Sequence, residues 1–125
     1  MKILIVAIAT TFAFVFGGPW QAPESANKIQ NPRANDKRAA SEGEDLYLSY
    51  CWSCHGENGS GKGPAASSLE TAPADLHSIT VQKQTDGALY WKMSNGRNDM
   101  APYESVLTTD QRWALVNYIR TLSGS

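Results

Sequence analysis

Cys51-Trp52-Ser53-Cys54-His55 constrains this chain more than any other stretch, because it holds the only two cysteines in 125 residues. On a helix, positions i, i+3 and i+4 share one face. Two thiols and an imidazole are thereby set side by side, as c-type haem attachment requires. The sulfurs can add to the two vinyl groups of one porphyrin while the histidine ligates its iron. Other uses of the cysteines fit poorly. A structural zinc site needs four ligands, and His77 is the only other histidine. A thioredoxin-like C-x-x-C belongs beside a βαβ pattern, and no stretch here alternates as a strand does. A disulfide framework would call for more cysteines.

The length suits one small domain. A formal net charge of −1 gives no strong field for nucleic acid or an anionic membrane surface. Residues 1–18 stand apart. Met1-Lys2 is a short positive start, and the apolar run over 3–16 has the length of a signal-peptide core. It is shorter than the ~20 residues a spanning helix prefers. Cleavage would fall near Val15-Phe16-Gly17 or Phe16-Gly17-Gly18; an uncleaved anchor with Trp20 at the interface is the alternative. Both place the domain outside the cytoplasm, in the periplasm or on the outer face of the membrane. Residues 19–40 hold Pro19, Pro23 and Pro32 among polar residues, and their composition predicts a flexible leader.

Residues 41–125 form the predicted domain. A capping box of Ser41 and Glu44 would open a helix over 42–54. Four glycines between Gly56 and Gly63 mark a loop, and 65–69 a short helical turn. Thr85 or Asp86 caps a second helix that stops at Asn95-Gly96. Thr108 and Gln111 form another capping box, and Trp113, Leu115, Val116, Tyr118, Ile119 and Leu122 give the last helix a broad apolar face. The prediction is an all-α fold of three main helices with loops wrapped around one haem. At this size a hydrophobic core alone is marginal, and an apolar porphyrin would fill its middle.

The iron's second axial position has three candidates. Met93 sits within an amphipathic helix, where a core role is the simpler reading. His77 would give a bis-histidine site. Met100 lies in irregular backbone, in Asn98-Asp99-Met100-Ala101-Pro102-Tyr103, and is the best placed to reach the iron from the opposite side.

The order of helix, C-x-x-C-H, glycine-rich loop, Gly63-Pro64, helix, Met100-Ala101-Pro102 and aromatic-rich final helix resembles the class I, monohaem cytochromes c over about residues 41–122. Many members read Met-Pro where Ala101 here intervenes. The resemblance implies one haem c bound through Cys51 and Cys54, with His55 and Met100 as axial ligands. It implies that Gly43 and Tyr47 cross the last helix at Leu115 and Tyr118. It also implies that the Pro64 carbonyl accepts the His55 Nδ1–H.

With both axial positions filled, no site is left open for a substrate. The reading is therefore a monohaem electron carrier with no catalytic residues of its own. It would exchange electrons with a dehydrogenase, an oxidase or another cytochrome, as a monomeric shuttle or as a subunit of an oxidoreductase. The alternative is a haem enzyme or gas sensor with a labile Met100. Against it, no distal acid–base set is evident.

Overall fold

Two helices crossing at close range fix the architecture. In the computed structural model, which describes residues 19–124, α1 (Ala39–Tyr50) packs across α5 (Thr109–Thr121). At the crossing, Gly43 lies so near α5 that an added Cβ would stand 2.1 Å from the Ala114 carbonyl oxygen. Only glycine permits that approach. One turn on, Tyr47 is fully buried with its ring 5.1 Å from that of Tyr118. Leu115 and Val116 complete this part of the core.

The chain breaks step at Cys51 and resumes as the single turn α2 (Trp52–His55). A short α3 (Ile79–Gln82), capped by Ser78, precedes α4 (Asp86–Asn95). Thr85 caps α4 by accepting from the Ala88 amide, and the Thr108–Gln111 capping box opens α5. Helix α4 lies against α5, where Tyr90 stacks on Trp113 at 4.0 Å and the buried Arg112 guanidinium covers the other partner of that stack, Tyr90, at 4.7 Å. Among the described residues there is no strand, only an isolated bridge between Arg97 and Met100. The fold is all-α, with three main helices joined by long loops.

The first helix starts earlier than its sequence pattern predicts. Ser41 is not its cap; α1 begins at Ala39, and the Asp36 carboxylate instead accepts from the Arg38 amide. The reason lies in the leader. The composition of residues 19–40 reads as flexible, yet 19–38 lie docked along α4 and α5. A 3-10 turn at Glu24–Lys28 buries Ala26 against Gly87 of α4, where a Cβ would stand 2.1 Å from the Ala26 carbonyl oxygen. Asn31 donates to Asp86 and Asn117, and Asn117 donates to the Arg33 carbonyl. Arg33 pairs with Asp36 and Glu42. Hydrogen bonding to Arg33 holds the Asp36 carboxyl below its usual value. The strap is thus held by polar side chains whose partners are far away in sequence. The apolar stretch read as an export signal lies outside the described residues.

Replacing Gly43 by alanine forces α1 and α5 apart. Overpacking of this kind costs about 2 kcal/mol. Thermal unfolding followed by circular dichroism is expected to show Tm lowered by roughly 10 °C.

Candidate functional site

The glycine-rich loop exists to satisfy the backbone of α2. A one-turn helix leaves its carbonyls without intrahelical partners. Here the loop returns and supplies donors: the Gly61 amide to the His55 carbonyl at 2.7 Å, Gly63 to Cys54 at 3.0 Å and Ala65 to Ser53 at 2.8 Å. The Tyr47 hydroxyl, reaching out of the α1–α5 crossing, donates to the Gly56 carbonyl. Thus Cys51, Cys54 and His55 are tied to the core by backbone on one side and an aromatic side chain on the other.

His55 Nδ1 lies 3.0 Å from the Ala74 carbonyl oxygen. A carbonyl only accepts, so Nδ1 carries the proton and Nε2 keeps its lone pair for a metal. Burial holds the imidazole below its usual pKa, with the Ala74 carbonyl pulling the other way. A neutral ring is the form that binds iron. The acceptor differs from the expected Pro64. The loop rejoins α2 through Gly63 and Ala65, leaving Pro64 exposed between them. The Leu76 amide bonds to the Gly59 carbonyl at 2.8 Å, and this brings the 73–74 segment alongside so that its carbonyl meets the ring. A main-chain acceptor has no side-chain signature, so no residue pattern marks it.

Cys51 and Cys54 are not joined in a disulfide. Burial, and then the nearby Cys54, push the Cys51 thiol up to about 12. Cys51 and Met100 border the same buried cluster, which includes Leu89, Met93, Leu107 and Leu115. Tyr103, three residues beyond Met100, has its hydroxyl pushed up by burial and also by Cys51 and Cys54. It donates to the Tyr50 carbonyl at 3.0 Å, and its ring stands edge-on to Tyr50 at 6.1 Å. The loop carrying Met100 is therefore brought to the cysteine pair, and Tyr103, which no local motif marks, is the residue that ties it there.

Of the other ligand candidates, Met93 belongs to this same buried cluster, as a core residue within α4. His77 faces two carbonyls, Leu122 at 2.8 Å from Nδ1 and Asn58 at Nε2. It bridges the glycine-rich loop to the end of α5. Trp113 is buried and Trp52 half-buried against the core.

These residues fit a haem. Two thiols and a metal-ready imidazole stand within five residues, beside an apolar cluster that also borders a thioether. Cys51 and Cys54 would hold the porphyrin, and His55 and Met100 its iron.

A family model described as cytochrome C oxidase, cbb3-type, subunit III matches residues 38–119. No curated protein matches the chain. Among solved structures, cytochrome CL from the marine methylotroph Methylophaga aminisulfidivorans MPT is 25% identical with a TM-score of 0.61, over 87% of this chain and 72% of that one. The KustC0563 c-type cytochrome is 26% identical with a TM-score of 0.56, over 65% and 96%. The Kuenenia stuttgartiensis reducing HAO-like protein complex Kustc0457/Kustc0458 is 28% identical with a TM-score of 0.60 over 76% of this chain. Only 49% of that chain is covered, so this chain spans about half its length.

Tyr47→Phe removes a donor from the Gly56 carbonyl, which keeps the Gly59 amide at 3.1 Å. The cost is therefore near the low end for a buried hydrogen bond, about 1 kcal/mol. Urea unfolding is expected to show a lowered midpoint with an unchanged slope.

Proposed function

The chain belongs to the cbb3-type cytochrome c oxidase subunit III family, a class I c-type cytochrome with covalently bound haem c, and from this we propose that it carries single electrons between protein partners outside the cytoplasm. The observation that supports this best is that Cys51, which opens the cysteine–histidine run, and Met100 pack against the same apolar cluster, with Tyr103 of the Met100 loop near enough to feel both cysteines. When bound, haem c supplies a one-electron Fe(II)/Fe(III) couple. The protein's part is to hold it still. Cys51 and Cys54 would fasten it, and His55 would ligate through Nε2 with its ring fixed by Ala74. Met100 would supply a thioether, which favours the reduced iron more than a second imidazole would. With His55 and Met100 both committed to the iron, a small molecule would have no place to react, and the remaining chemistry would be outer-sphere transfer.

Whether the domain shuttles freely or works as a subunit depends on its partner. The likeness to a chain of a redox complex favours the subunit reading, with a dehydrogenase, an oxidase or another cytochrome on the other side. Redox encounters of this sort use small interfaces, below ~1,200 Å². The division into an export segment over 1–18, a leader and a cytochrome domain fits the same picture. Haem is attached after translocation in this family.

The mature exported protein is expected to weigh more than its amino acids by one haem, measured by intact mass spectrometry. Its ferric form should show the iron–thioether charge-transfer band, and Met100→Ala should lose it. Wild type in the reduced state should take up no carbon monoxide at neutral pH. Uptake would favour the enzyme or sensor reading. Affinity purification of the exported protein with its copurifying partner, identified by mass spectrometry, separates shuttle from subunit.

A further inference from the structure

The strap over 19–38 ends on the loop that carries Met100. Its first well-anchored side chain is Trp20. The ring lies 5.2 Å from Lys92 Nζ and 5.7 Å from Arg97 Cζ, and the Trp20 carbonyl accepts from Lys92 Nζ at 2.6 Å. Lys92 is also held by the Gln84 side chain at 2.6 Å. Arg97 in turn closes a two-way backbone bridge with Met100, at 3.0 Å from the Arg97 amide and 2.9 Å from the Met100 amide.

Lys92 and Arg97 carry like charges on the two sides of the Gly96 turn, and their proximity already lowers the Lys92 pKa, after burial. Without the ring they would repel each other. An indole π face attracts both cations at once, so Trp20 converts a repulsive pair into a clasp. The rest of the strap keeps Trp20 in place. Ala26 is seated against Gly87, the Thr85 hydroxyl donates to Asn27, and Asn31 spans Asp86 and Asn117.

We propose that Trp20 is a positioning residue for the Met100 loop: with its ring against both Lys92 and Arg97, it holds the Arg97–Met100 turn closed and so keeps Met100 in place to ligate the iron. The second half of this statement rests on the assignment of Met100 as axial ligand; the first does not. The strap is thus part of the redox domain rather than a spacer before it.

The test uses the full haem-loaded protein with Trp20→Ala, Trp20→Phe and, as a core control away from the strap, Val81→Ala. Amide hydrogen exchange read by NMR on the reduced protein should speed up at Arg97 and Met100 by about fivefold in Trp20→Ala, the factor one exposed cation–π contact is worth. Trp20→Phe, which keeps a π face, should recover most of the protection. The ferric Trp20→Ala protein should also bind added imidazole about fivefold more tightly, because Met100 leaves the iron more readily. Unchanged exchange at Arg97 and Met100 would overturn the proposal. So would an equal acceleration at every amide, or the same loop effect in Val81→Ala, since either marks general destabilisation. Met100→Ala separates the two claims. If it keeps the charge-transfer band, the ligand assignment fails while the exchange result still decides the role of Trp20.

Discussion

Tyr47 joins the two things this fold must do. Its ring is buried where α1 crosses α5, and its hydroxyl holds the Gly56 carbonyl at the end of the turn that carries the cysteines. The crossing fixes the angle at which α1 delivers Cys51. The hydrogen bond fixes where the chain goes after His55. Packing and site geometry therefore depend on one side chain, and on the glycine one turn before it that lets the helices touch.

From that joint outward, the site is built mostly by main chain. Glycine-rich segments can come close enough to donate amides to the Ser53, Cys54 and His55 carbonyls, where bulkier residues would stand off. The Ala74 carbonyl then selects the histidine tautomer. Side chains enter where the proposed haem site would need a specific atom: the Cys51 and Cys54 sulfurs, the His55 imidazole nitrogen and the Met100 thioether. This division explains why a short domain can hold a large prosthetic group in a defined place. Backbone amides lose no rotamer freedom when they bond, whereas side-chain clamps would.

What was legible in the sequence was local. The caps at Thr85 and at Thr108 with Gln111 are readable because their hydrogen bonds close within three residues. The cysteine–histidine spacing is readable for the same reason, and so is the apolar face of α5. What was not legible is held by partners far apart. The docking of 19–38 uses Asn31 with Asn117 and Arg33 with the Asp110 carbonyl, and polar residues rich in proline look like a linker until those partners are known. Ser41 and Glu44 fit a capping box locally, yet the docked leader starts α1 three residues earlier, at Ala39. A Gly63-Pro64 pair is visible in a sequence, whereas the carbonyl at Ala74 that meets the His55 ring is not.

The strap also sets how the domain would respond to force. Its contacts are laid in series along α4 and α5, with Trp20 outermost. Tension applied through the chain upstream would peel them one at a time, beginning at Lys92 and Arg97, instead of shearing them together. The first mechanical load would fall on the turn beside the thioether. A pull on the N-terminal end of the strap would thereby be felt at the Met100 turn before the helices shared any of it.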